Sequence, residues 1–305
     1  MIIERVLESI VLTLSSLSFL TSLITLILIF IYVRPLITNV PIILTCNTYI
    51  TLIGSSFMTF VVMAYGMYDN LHPFISFDDY YCEIRSYVNY VFICAFYYSC
   101  MFQATFRLCR VVFQKRKILQ TRIVFTIAII IQWLISIFYI LVYLILNDFQ
   151  YHPDISSCWL SFKNIRGLSI ALIFVYGKPL IIMSLIYVCI VRFIRQTVHT
   201  QEIRQNANKR DLLVVKRIII LVFIAMAIGI PTLLILIIYI ITNYLTPFAY
   251  HIQALSLTSG LVAASIAMGF MTPQIRDIFK VNRQIHPVMA IEIALERKEI
   301  TGNHT

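Results

Sequence analysis

Charge is scarce in this chain. Of 305 residues only 24 are Lys or Arg and 14 are Asp or Glu, while 60% are hydrophobic. A water-soluble domain of this length needs far more polar surface, and a basic nucleic-acid-binding domain needs a polar chain around its charge. The net charge of +10 therefore does not point to nucleic acid as a partner. Glycine is also sparse, at eight residues, and forms no phosphate-binding loop. The histidines His72, His152, His199, His251, His286 and His304 fall in connections, span ends or the tail, with no metal-ligand spacing among them. Enzyme chemistry, a metal and a cofactor are accordingly not expected. No internal repeat links the two halves, unlike transporters built from repeated bundles.

What fills the chain instead is long apolar runs. A bilayer core of about 30 Å is crossed by about 20 apolar residues in a helix, and stretches near 9–33, 40–66, 84–106, 123–147, 167–191, 218–242 and 251–272 meet that length. The uncharged run from Ile218 to Ile275 holds 58 residues. As one helix it would reach roughly 87 Å, so it must fold back, around Asn243–Pro247. The pattern predicts an all-α, seven-transmembrane helix bundle over 9–281. A short segment, 1–8, precedes it, and a tail, 282–305, follows, with an amphipathic segment around Met289–Lys298. A signal peptide is disfavoured because the first apolar run, 25 residues, exceeds a usual h-region and Glu4 and Glu8 precede it. With so short an N-terminus, a ligand from outside must be met by loops and helix ends.

Nineteen of the 24 basic residues lie in the connections on one side of these spans, with only six of the 14 acids. The positive-inside rule places that side in the cytoplasm, with the N-terminus outside and the C-terminus inside. Of seven cysteines, only Cys82 and Cys158 then fall at the outer, oxidising face, which predicts a disulfide between the start of span three and the connection joining spans four and five. No cysteine follows Cys189, so the tail offers no palmitoylation site, and Asn303 lies on the side where glycosylation does not occur.

Helical spacing sorts the polar residues of the spans. Asn89 and Arg107 are separated by 18 residues, five turns, so they share a face about 27 Å apart along the axis. Gln103 lies one turn above Arg107. A line of Asn89, Gln103 and Arg107 fits a bundle interior better than lipid, although an arginine that ends an uncharged run also fits an interfacial, snorkelling position. In span five, Tyr176 and Tyr187 fall within about 20° of one another, whereas Lys178, the one formal charge in mid-span, falls opposite. Pro179 kinks or loosens the helix there.

Cys82 lies 25 positions before Arg107, Trp133 lies midway along span four, and Pro179, Pro231 and Pro273 lie in spans five, six and seven. In these features the chain resembles a rhodopsin-like (class A) G-protein-coupled receptor, divergent, over about residues 9–281. Tyr187, eight residues after Pro179, and Asp211, at the inner start of span six, match family positions near the cytoplasmic face. The resemblance implies a multi-pass plasma-membrane protein, in contact with lipid, that binds an extracellular ligand and activates a heterotrimeric G protein. It implies that Asp211 pairs with Arg107 at rest and that Arg107 meets Tyr187 on activation. The chain departs from the family pattern at Phe106 and Leu108, which flank the arginine in place of an acid and a tyrosine. Gly229 precedes Pro231 where an aromatic residue is usual, Arg276 replaces a tyrosine, and span two has no acid to hold sodium.

Asn89 stands where amine receptors carry an aspartate, which disfavours a monoamine, and span seven has no lysine for retinal. The tyrosines of the outer half suit a peptide or a small polar organic molecule, with Asn89, Tyr90, Tyr176 and Tyr239 as ligand-binding candidates. Two alternatives stay open at this point: a transporter or channel, and a receptor that binds ligand without coupling to a G protein.

Overall fold

The computed structural model describes residues 2–32, 40–71, 80–113, 116, 120–152, 155, 157–198 and 205–271. Seven of its helices are long and apolar enough to cross a membrane, which makes the chain a multi-pass membrane protein built as a seven-helix bundle. The first four are α1 (Ile2–Tyr32), α2 (Val40–Leu71), α3 (Tyr80–Val111) and α4 (Arg122–Ile145). The fifth is compound: α5 (Ile165–Ala171) runs into a π-helical segment (Leu172–Gly177) and then α6 (Lys178–Val198). The last two are α7 (Gln205–Thr242) and α8 (Ala249–Met271). Pro273 and the tail from 282 lie outside the described residues.

Helices α1 to α4 pack successively on one another, as do α6, α7 and α8; α3 also packs on α6 and α1 packs on α8 to close the ring, while Tyr139 of α4 reaches the fifth helix at the Ile170 carbonyl (3.3 Å). The axis of the bundle is α3, most of whose membrane-length segment is buried, whereas α1 and α4 bury about a fifth of theirs. Exposed faces carry side chains such as Ile27, Phe138, Ile181, Phe223 and Phe270, the surface a helix presents to lipid. Lipid is as apolar as leucine, so burial alone does not bring such helices together; close approach and polar contacts do. Gly54 lets α2 meet α3, since a Cβ there would sit 2.2 Å from the Phe92 ring. Hydroxyls link α1 to its neighbours: Ser56 donates to Ser18 at 2.8 Å, and Thr21 and Ser265 lie 2.9 Å apart.

A buried amide network joins α2, α3 and α4. Asn47 donates to Ser99 (3.3 Å) and to the Gln132 carbonyl oxygen (3.1 Å), and its own oxygen accepts from the Trp133 indole (3.0 Å). Gln132 in turn donates to the Ala95 carbonyl at 2.7 Å, and Gln103 donates to Thr48 at 2.7 Å. In hydrocarbon each of these amides must find protein partners, and here they find them across three helices.

Asparagines end two of the spans. Asn147 and Asn243 adopt left-handed conformations, φ 53° and 51°, which asparagine tolerates better than most residues. The turn at Asn243 is the fold-back that the 58-residue uncharged run requires.

Between α4 and α5 the chain forms an antiparallel hairpin that the apolar-run reading did not anticipate: β1 (Phe149–His152) and β2 (Ser157–Leu160), with Phe149 opposite Leu160 and Tyr151 opposite Cys158. The disulfide between Cys82 and Cys158, with Cα atoms 5.6 Å apart, fastens β2 to the start of α3. Asp148, buried beneath the hairpin, accepts from Asn164 and lies 3.9 Å from the Arg166 guanidinium. Cys82→Ser or Cys158→Ser should lower the stability of the detergent-purified protein by about 2–5 kcal/mol. A thermal melt followed with a thiol-reactive dye, where both variants melt below the wild type, checks this.

Candidate functional site

Directly below β2 a partly open cavity of about 80 Å³ lies between α3, the fifth helix, α7 and α8. Trp159, on β2 and 1% exposed, is part of its wall. Tyr90 and Tyr97 enter from α3, Tyr176 from the π segment, and Gln253 from α8, with Gly229 on α7. Apolar residues such as Leu168 and Leu257 complete the wall, and no lining side chain carries a formal charge. The aromatic rings interlock: Tyr90 meets Trp159 edge-on at 6.3 Å, and Tyr97 meets Tyr176 edge-on at 5.1 Å.

The π segment positions Tyr176. Pro179 has no N–H, and its ring crowds the carbonyl four residues earlier; the turn before it widens, and the Lys178 N–H bonds five residues back, to Ile173. The widened turn directs Tyr176 across to α7, where its hydroxyl donates to the carbonyls of Ala225 (2.9 Å) and Met226 (2.7 Å). Gly229 makes room for it, because a Cβ there would lie 1.7 Å from the Tyr176 ring. The glycine on α7 is thus covered by an aromatic ring from the fifth helix.

Pro231 affects the next seam. Its missing N–H leaves the Ala227 carbonyl without a partner in its own helix, and Ser256 of α8 donates to that carbonyl (3.1 Å) and to Ile228 (3.0 Å). Pro231 thus frees a backbone carbonyl that holds α7 against α8, while the widened turn before Pro179 places the side chain that holds α7 against the fifth helix.

Of the ligand candidates read from sequence, Tyr90 and Tyr176 line the cavity, and Asn89 and Tyr239 do not. Asn89 is buried against α2, where its oxygen accepts from Thr59 at 3.1 Å. The polar face of α3 thus points largely at α2 rather than into a central channel. Lys178 is exposed on the outer surface of its helix, opposite the cavity side. Trp159 and Gln253 were not singled out from sequence. The available signal for Trp159 was its place one residue after Cys158; that for Gln253 was its amide in an otherwise apolar span.

At the other end of the bundle Arg107 is half-buried on α3, and Tyr187 is half-buried on α6 against the main core. Asp211 belongs to α7, but its side chain lies outside the described residues. Phe106 stacks edge-on against Phe125 of α4 at 5.1 Å, so the position before Arg107 serves packing between α3 and α4.

No protein-family model matches this chain, and no curated protein matches it.

Gly229→Ala should displace Tyr176, break its two hydrogen bonds and cost about 1–3 kcal/mol by overpacking. Combining it with Tyr176→Leu should restore part of the loss, and a double-mutant cycle on melting temperatures measures that coupling.

Proposed function

We propose that this chain is a divergent rhodopsin-like G-protein-coupled receptor of the plasma membrane, oriented with its N-terminus outside. It takes an extracellular ligand, a small organic molecule or part of a peptide, in the cavity beneath the hairpin. It passes the signal to a heterotrimeric G protein at the Arg107 end.

The observation that carries this reading is the place of Tyr176. One side chain both lines the cavity and holds the fifth helix to α7 by two hydrogen bonds. An occupant that prefers one packing of Tyr176 against α7 biases the relation between these helices, and differential affinity for two packings is all that a ligand-driven switch requires. The charge distribution supports the orientation, with nineteen of 24 basic residues on the Arg107 side. The disulfide supports an oxidising environment at the opposite end. In the resting state Asp211 holds Arg107. Release frees the cytoplasmic end of α7 to move outward and lets Arg107 meet Tyr187, opening a cleft for the G protein.

Arg107→Ala should abolish G-protein activation by an activating ligand while leaving ligand binding at the cavity intact, as read by nucleotide exchange on purified G protein. Asp211→Arg should raise basal exchange about three- to tenfold, the scale of one lost ion pair. Basal and ligand-driven exchange unchanged in both variants would remove this switch.

A further inference from the structure

We infer that the cavity beneath the hairpin selects a small, uncharged organic molecule bearing one hydroxyl group, an alcohol or a phenol. The inference rests on the reading of this cavity as the ligand site and narrows its ligand class.

Three observations carry it. The first is what the lining lacks. None of its side chains is formally charged, so a buried ammonium or carboxylate ligand would find no counter-ion and would keep its full desolvation cost. The second is size. At about 80 Å³ the cavity is smaller than an engineered cavity of about 150 Å³ that accepts benzene and well below drug-sized pockets. Because the cavity is partly open, an occupant on the order of six to eight non-hydrogen atoms, benzene-sized or slightly larger, is seated with part of its body at the mouth.

The third is a set of polar atoms without partners. Trp159 Nε1 and Gln253 Oε1 are each buried and close no hydrogen bond within the protein, and the buried Tyr90 hydroxyl lies beside Gln253. All three residues line the cavity. The Tyr90 hydroxyl also lies beside the Leu160 backbone, so the set is clustered on the wall beneath β2. Buried polar groups ordinarily have partners, and their chemistry defines what is missing. The indole N–H only donates, the amide oxygen only accepts, and a phenol does either. A ligand carbonyl accepts but cannot donate, so it would leave Gln253 Oε1 unpaired. An ammonium donates but cannot accept, and a carboxylate accepts but cannot donate. A hydroxyl does both. The apolar remainder of the wall, with the edges of Tyr97 and Tyr176, suits an aromatic or branched aliphatic body.

The probe is benzyl alcohol, compared with toluene, benzylamine and benzoate, on the full-length chain purified in detergent. Binding is followed by calorimetry and thermal shift without any signalling readout. Benzyl alcohol should bind about tenfold tighter than toluene, the scale of one or two hydrogen bonds, and the two charged analogues should bind at least about tenfold weaker than benzyl alcohol. Trp159→Phe and Gln253→Met each remove one polar group and keep its bulk. Each should bring the ratio of benzyl alcohol to toluene affinity down about three- to tenfold while leaving toluene affinity in place, which also reports an intact cavity. Should neither variant fold, the wild-type ligand series still decides.

Equal binding of the charged analogues overturns the inference, as does absence of binding by benzyl alcohol or an unchanged affinity ratio in both variants. G-protein activation by a peptide or an ammonium ligand acting through this cavity overturns it too, while leaving the receptor reading standing. The reverse result, selective benzyl alcohol binding without nucleotide exchange on any G protein, sinks the receptor reading and leaves the cavity's selectivity intact.

Discussion

Inside a bilayer there is no water to hydrogen-bond an exposed peptide group, and this constraint governs the molecule. Helices meet it internally along their length. Wherever the regular ladder fails, the freed groups must find protein partners, and those partners become the contacts that hold the bundle together. Pro231 is a described instance, and Pro179 acts beside it by reshaping its own helix. The first leaves a carbonyl to which Ser256 of the next helix donates; the second is preceded by a widened turn that sends Tyr176 across to the carbonyls of Ala225 and Met226.

The same rule explains the amides at the centre. Asn47, Gln103 and Gln132 would each be costly in lipid, and each is engaged by a neighbouring helix. Their mutual satisfaction joins α2, α3 and α4 into one rigid half of the bundle. On the other half, α7 relies on Tyr176, on Ser256 and on close packing at Gly260, where a Cβ would lie 2.0 Å from Ile228. That half has fewer interhelical polar contacts among the described residues and carries Pro179 and Pro231. The cavity lies between the two halves, where α3 contributes one wall and the π segment, α7 and α8 the other. Trp159 Nε1 and Gln253 Oε1 are buried polar atoms without a hydrogen-bond partner in the protein, and both belong to residues that line the cavity.

Much of the fold was legible along the chain, because the bilayer imposes a length and a polarity that need no knowledge of partners. The seven apolar runs, the fold-back at Asn243, and the pairing of Cys82 with Cys158 follow from position along the sequence and from which side of a span a residue occupies. The opposed faces of Tyr176 and Lys178 follow from 3.6 residues per turn. The hairpin from Phe149 to Leu160 was not legible in the same way. Its two strands are four residues each, too short for a clear alternation, and they persist because the disulfide and the helix ends beneath support them.

The sequence by itself determined that this is an all-α membrane bundle with an asymmetric charge distribution, since those properties belong to segments taken one at a time. Only the tertiary structure decided which side chains meet. Asn89 shares a helical face with Arg107, yet its oxygen is engaged by Thr59, while Trp159, 69 residues beyond Tyr90, joins Tyr90 at the cavity. Gly229, which along the chain is only a glycine two places before Pro231, becomes the seat for a tyrosine from another helix. Spacing along one helix fixes direction about its own axis, but the neighbour found in that direction depends on how the helices cross, and crossing is set by all of them together.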